Sequence, residues 1–206
     1  MEADTSARCV VLTGAGKRFC AGRDVKGFAA AGEAVPAFIN ALTTPLHAAI
    51  LAFCRMRKPL ITAVNGPAAG AGLGLAIIGE VVLAARSARF SSPYRSIGLT
   101  PERGVSWVLP RLIGLRGEQE MALADPSVAV DEAVMIGLAT RAVVDEQLAV
   151  ETMRLAEKLA ASADQALAET RILLLATFNA DLGSHPAGWP CPALRARQGQ
   201  AAGVGR

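Results

Sequence analysis

Two stretches of the chain share one grammar, an apolar β-branched run that enters a glycine-rich turn. The first is Val10-Val11-Leu12-Thr13-Gly14-Ala15-Gly16-Lys17-Arg18-Phe19-Cys20-Ala21-Gly22-Arg23-Asp24-Val25. The second is Lys58-Pro59-Leu60-Ile61-Thr62-Ala63-Val64-Asn65-Gly66-Pro67-Ala68-Ala69-Gly70-Ala71-Gly72-Leu73-Gly74. Glycines let a backbone approach a ligand closely, and the first turn of a helix offers N–H groups without intrahelical acceptors. Two such turns facing one another would grip a developing oxyanion. Either turn alone reads equally well as a tight turn and nothing more.

Acid–base groups near such a site are few. One carboxylate, Glu102, stands in Leu99-Thr100-Pro101-Glu102-Arg103-Gly104; by itself it reads as a solvated loop glutamate that caps the helix expected from Ser106 or pairs with Arg103. His47 lies on a helix without nearby nucleophile grammar and reads as a packed or surface histidine. The Arg23 guanidinium could reach a phosphate, although a solvent-facing side chain suits it better, and Cys20 reads as packing under its loop. Nucleotide loops fail on spacing: Gly70-x-Gly72 has Leu75 where a third glycine belongs, and Gly16-Lys17 lacks the Walker spacing and the following Ser or Thr.

The elements that must hold these groups alternate. Strands are expected at Cys9–Thr13, Leu60–Val64, Val81–Leu83, Arg89–Ser91 and Ala142–Val144. Asp24 is placed to cap a short helix. Ala37 to Met56 has helical composition with a break expected at Thr44-Pro45, and a helix should start near Gly70, apolar nearly all round and therefore buried. Further helices are expected at Ser106–Leu112, Arg116–Leu123, after an Asp131 cap, and at Glu146–Ala161 and Ala163–Leu175. This is an α/β pattern, with residues 1–183 as one domain and 184–206, rich in Pro, Gly, Ala and Arg, as an irregular, disordered tail.

Bulk properties narrow the partners. The 206 residues are 52% hydrophobic and 19% charged with a net charge of +3, a globular balance with no basic stripe for nucleic acid. Cys9, Cys20, Cys54 and Cys191 lie far apart, which suits reduced thiols better than a metal site or a disulfide framework. Met1–Arg8 has no signal-peptide character and the longest apolar run, Leu73–Ile78, is too short for a bilayer, so a cytoplasmic chain with no membrane and no metal is expected.

Taken in order and at their separation, the two glycine segments resemble the crotonase (enoyl-CoA hydratase/isomerase) superfamily. Phe90-Ser91-Ser92-Pro93-Tyr94-Arg95-Ser96-Ile97-Gly98-Leu99-Thr100-Pro101-Glu102-Arg103-Gly104 continues the likeness, as does Ala133-Val134-Met135-Ile136-Gly137-Leu138-Ala139 leading into Val143-Val144-Asp145. The resemblance covers roughly Cys9 to Leu175 and implies a ββα spiral with stacked sheets surrounded by helices. It further implies an acyl-CoA substrate, whose thioester oxygen would be held by the backbone N–H groups of Arg23 and Ala71. Ala21, Gly22, Arg23, Asp24, Val25, Gly70 and Ala71 would contact the coenzyme A side. Coenzyme A would enter with the substrate, no prosthetic group is implied, and the assembly would be a homotrimer or hexamer.

The same resemblance gives Glu102 its role. The family's two hydratase carboxylate positions hold Gly74 and Tyr94, and a phenol, with a reference pKa of about 10, is a poor base at neutral pH. A carboxylate directly after Pro101 is similar to that of members that shift a double bond, in fatty acid or aromatic acid breakdown. Enoyl-CoA isomerisation with Glu102 as base is the expectation, ordinary hydration the alternative. Relatives carry further strands before Cys9 and amphipathic helices where residues 184–206 have no apolar period, so the chain is expected to be incomplete at both ends. That leaves a third reading, a non-catalytic remnant that binds acyl-CoA or a sister subunit.

Overall fold

The computed structural model describes residues 4, 6–22, 27, 30 and 32–178. Arg23, Asp24, Val25, the helix expected after Asp24 and the tail 184–206 lie outside the described residues. Two compact units are distinguished, Val11–Arg55 with Leu60–Arg154, and Met1–Val10 with Met56–Pro59 and Leu155–Arg206.

The strands are β1 (Val10–Thr13), β2 (Leu60–Val64), β3 (Ala68–Ala69), β4 (Val81–Ala85), β5 (Arg89–Ser91), β6 (Val128–Ala129) and β7 (Arg141–Val143). One sheet has the order β1-β2-β4-β7 and the other β3-β5-β6. β2 pairs with β4, β4 with β7 and β3 with β5 in parallel, while β5 and β6 run antiparallel. The five residues of β2 are all buried, which is why Leu60-Ile61-Thr62-Ala63-Val64 reads as continuous apolar sequence rather than alternation. Successive stretches deliver one strand to each sheet, β2 then β3 and β4 then β5, before a helix follows. Cys20, bridged in parallel to Ala68, starts the same pattern after β1. This is the two-sheet α/β arrangement expected from the sequence.

The helices are α1 (Val35–Arg55), α2 (Ala71–Ile77), α3 (Arg103–Ala124), α4 (Val130–Met135), α5 (Leu148–Ala160) and α6 (Asp164–Ala176). α1 does not break at Pro45 as expected. Proline removes one hydrogen bond, here to the carbonyl of Ala41, and both residues are exposed, so water can take that carbonyl. Asp131 does not cap α4; Ala129 is its N-cap, and Asp131 sits in the first turn and accepts a bond from Arg86 Nη1 at 3.2 Å. α3 merges the two helices expected on either side of Gly114, whose φ of 74° and ψ of 162° mark the kink. The stretch Gly32–Arg55 is long and apolar enough to cross a membrane by length and composition alone, which counting unbroken apolar runs overlooks.

The core of the larger unit gathers Phe19 from the loop after β1, Val64 and Phe90 from the two sheets, Leu73 from α2, and Val105 and Leu109 from α3. α2 fits its expected character: six of its seven residues are buried. In the smaller unit Arg171 of α6, only 4% exposed, donates Nη1 to the Met56 carbonyl, which satisfies a buried charge with a backbone acceptor. Arg8 Nε lies 2.5 Å from Asp164 Oδ1 in the same unit.

Candidate active site

Steric necessity explains the glycines of the two segments. A Cβ on Gly72 would stand 2.1 Å from the Cys20 carbonyl oxygen, and one on Gly66 would stand 2.3 Å from the Lys17 oxygen. No side chain fits either place, so the segments approach as closely as backbones can. Their contact is hydrogen-bonded: Phe19 and Cys20 N–H groups donate to the Pro67 carbonyl at 3.2 Å, and Ala69 N–H donates to the Cys20 carbonyl at 3.0 Å. Asn65 adds a side-chain clasp, accepting from Gly14 N–H at 3.0 Å and donating to the Gly16 carbonyl at 2.9 Å. The facing turns expected from the sequence are therefore brought together.

Gly22 ends the described part of the first segment with φ at 87°, and a Cβ there would lie 2.7 Å from the Ala69 oxygen and 3.6 Å from the Ala71 nitrogen. Across from it, Gly70 caps α2 with φ 54° and ψ −120°. Ala71 opens the helix, in the turn whose amides have no intrahelical acceptor. A cavity of about 130 Å³ opens here, lined by Ala21, Gly22, Gly70 and Ala71 on one side and by Pro93, Tyr94, Ser96 and Ile97 on the other. A cavity of about 150 Å³ holds a benzene ring, so this one suits a thioester and a few acyl carbons. Four of the seven residues expected to contact the coenzyme A side, Ala21, Gly22, Gly70 and Ala71, converge on it, and the remaining three lie outside the described residues.

The two positions without carboxylates are occupied in different ways. Tyr94 is buried at 3% exposure, and a Cβ on Gly70 would lie 3.9 Å from its ring carbon Cζ, so the phenol forms a wall of the cavity. At Gly74 a Cβ would meet Val105 Cγ2 at 3.4 Å, and a Cβ on Gly104 would lie 4.0 Å from the Gly74 Cα. A glycine at each place lets α2 and the start of α3 pack closely, in the space that a larger side chain at 74 would need.

Glu102 is the N-cap residue of α3, through its backbone rather than its side chain: its carbonyl accepts from Ser106 N–H at 2.9 Å and Ser106 Oγ–H at 3.1 Å. The solvated-glutamate alternative fails, because the side chain is only 7% exposed. Its Oε2 lies 3.6 Å from His47 Nε2. Glu102 is not among the residues lining the cavity; it opens α3, whose residues Gly104 and Val105 pack on Gly74 of α2. His47, read from the sequence as a bland helix residue, is the site neighbour that reading missed. Its signal was periodicity: Ile39, Thr43, Leu46, His47, Ile50 and Cys54 form the inward stripe of α1, the rest of the helix being mostly exposed. Among the described residues no group of three or more His, Cys, Asp or Glu is placed to hold a metal ion.

The chain is similar to known proteins in sequence and in fold. The family described as Enoyl-CoA hydratase/isomerase matches residues 1–184. The 1,2-epoxyphenylacetyl-CoA isomerase of Escherichia coli (strain K12) is 39% identical over 168 residues, 78% of this chain and 62% of that protein. A probable enoyl-CoA hydratase of Rhodobacter capsulatus is 42% identical over 139 residues, 68% of this chain and 53% of its own length. The chain thus spans little more than half the length of these curated relatives. An enoyl-CoA hydratase structure from Polaromonas sp. JS666 superposes with a TM-score of 0.84 at 29% identity, over 98% of this chain and 75% of that one. With the paired glycine turns in the same place as the match, the chain belongs to the enoyl-CoA hydratase/isomerase family.

Proposed function

We propose that the chain is an enoyl-CoA isomerase that carries a double bond of an acyl-CoA thioester into conjugation with its carbonyl. The Ala71 amide and that of Arg23 hold the thioester oxygen, so the enolate formed on loss of the C2 proton is stabilised where its charge develops. Glu102 takes that proton and returns it at C4, where the π pair of the C3–C4 double bond forms the new C–H bond, while the electron pair of the C2–H bond, held meanwhile in the enolate, becomes the C2–C3 double bond. The observation that carries the reading is the carboxylate count: the Glu102 side chain is buried at the start of α3, whose Gly104 and Val105 pack on Gly74 of α2, and Gly74 and Tyr94 hold no carboxylate. One base suffices for isomerisation, whereas hydration in this family is a task for two. Gly74 lies one turn past Ala71, about 5 Å along the helix, a span that suits the distance from a thioester oxygen to its C2–C4 carbons.

Coenzyme A arrives with the substrate, no prosthetic group takes part, and the chain works in the cytoplasm as a trimer or hexamer, in breakdown of fatty or aromatic acids. The name of the Escherichia coli relative supports isomerisation. Hydration is the second reading, favoured by the name of the Rhodobacter capsulatus relative. Incubation with a 3-enoyl-CoA, followed by absorbance of the conjugated thioester, tests the proposal. Turnover that falls by about 10²–10⁴-fold in Glu102→Gln supports it. Full activity in that variant refutes the role of Glu102, and strong hydration of a 2-enoyl-CoA refutes the isomerase reading.

A further inference from the structure

The crossing of α1 over the start of α3 has a chemical consequence. Ile50 Cδ1 lies 3.2 Å from the place a Cβ on Gly104 would take. His47 stands three residues earlier on the same stripe of α1, and Glu102 two residues before Gly104, so packing of Ile50 against the glycine brings the two ionisable side chains together. His47 Nε2 and Glu102 Oε2, 3.6 Å apart, are both sealed from solvent, although the histidine side chain as a whole is 34% exposed. A buried carboxylate is costly unless a polar or charged partner compensates it. The separation is a few tenths of an ångström beyond an N–H···O hydrogen bond, and catalytic hydrogen bonds in unliganded enzymes are often long and tighten when substrate binds.

We propose that His47 is the positioning residue for Glu102. Its Nε2–H, donated to Oε2, holds in one rotamer the carboxylate that accepts the proton from C2 and delivers it at C4. The O–H bond formed in the first half of the reaction is broken in the second, so the pair returns to its starting state without any other reactant. This role rests on the isomerase reading, and its failure is separable from the failure of that reading.

Kinetics with a 3-enoyl-CoA on the full chain and three variants decide the matter. His47→Phe keeps the bulk of the ring and removes the donor; His47→Gln places an amide N–H near the position of Nε2; Glu102→Gln marks loss of the base. The expected result is a fall in kcat of about tenfold to a hundredfold in His47→Phe, the range for loss of one hydrogen bond to a charged group, with KM within about twofold. His47→Gln is expected to recover most of the loss. A residue that only fills space would not separate Phe from Gln in kcat at constant KM. His47→Leu answers the same question if the Phe variant does not fold, as checked by circular dichroism. Wild-type kcat in the Phe or Leu variant, with Glu102→Gln inactive, overturns the positioning role and leaves the isomerase reading standing. Wild-type activity in Glu102→Gln, or no turnover by the unmodified chain, overturns both.

Discussion

Gly72 and Gly74 sit two residues apart on α2, and alanine at these two positions should have opposite effects. At Gly72 the new Cβ would begin 2.1 Å from the Cys20 oxygen, whereas real Cβ contacts essentially never fall below 3.0 Å. The two segments must therefore separate by about 0.9 Å. Ala69 approaches the same oxygen from the same segment, so that shift carries its N–H···O bond, now 3.0 Å, out of range. Overpacking of this kind costs about 1–3 kcal/mol and loss of the bond about 1 kcal/mol more, against roughly 1 kcal/mol gained from alanine in a helix. The net destabilisation is about 1–3 kcal/mol, a fall of about 2–12 °C in Tm for a chain of this size. At Gly74 the nearest atom is Val105 Cγ2 at 3.4 Å, ordinary contact with a side chain that can yield, so Gly74→Ala keeps the helix gain and is neutral or stabilising by up to about 1 kcal/mol. Thermal unfolding of the two variants side by side measures the difference. Calorimetric titration with coenzyme A and turnover assays extend it to the site, where a displacement of about 1 Å at Ala71 should cost up to about 10²-fold in turnover. Equal Tm values for the two variants would refute the argument that Gly72 is a glycine because a backbone carbonyl occupies the place of its side chain.

Other substitutions test other parts of the molecule. Burial holds the Glu118 carboxyl above its usual range, so the folded state binds this proton more tightly than the unfolded chain does. The associated stability is complete below the unfolded value, about 4.3, and is lost as pH rises through the folded one. Glu118→Gln is neutral throughout and should raise Tm by a few degrees at pH 7 with little change near pH 4; a pH series of melts reads the slope. For Asp145 the sign is opposite, since hydrogen bonds from the Ser87 side chain and backbone lower its pKa. Its contribution is present above about 3.9 and is lost as pH falls through the lower folded value, so Asp145→Asn should cost a degree or two at neutral pH and nothing in strong acid. Phe90, fully buried in the core of the larger unit, should lose about 3–5 kcal/mol as alanine, measured by denaturant unfolding.

Much of the scaffold is legible in the sequence because its rules act over short distances. A five-residue apolar run bounded by Lys58-Pro59 and Asn65-Gly66-Pro67 predicts a fully buried strand, and Leu60–Val64 is one. The order and separation of the glycine segments point to facing turns, and the contacts of Gly22, Gly66 and Gly72 show why no larger residue fits. Where local rules misplace an element, the surroundings decide: Pro45 stays within α1 because its helix face is exposed, and Asp131 is drawn into an ion pair with Arg86 rather than a cap.

The chemistry of the site divides along the same line. Sequence alone determined that carboxylates are missing at Gly74 and Tyr94 and that one stands at Glu102, since residue identity needs no coordinates. Only the tertiary structure decided that Glu102 is buried rather than solvated, that Val105 and Gly104 pack against Gly74, and that His47 faces the carboxylate. Residues 47 and 102 meet because Ile50 packs on Gly104 where two helices cross. Helical periodicity marks His47 as inward-facing, but the side chain it faces is set by the crossing of α1 with α3, a property of neither segment alone.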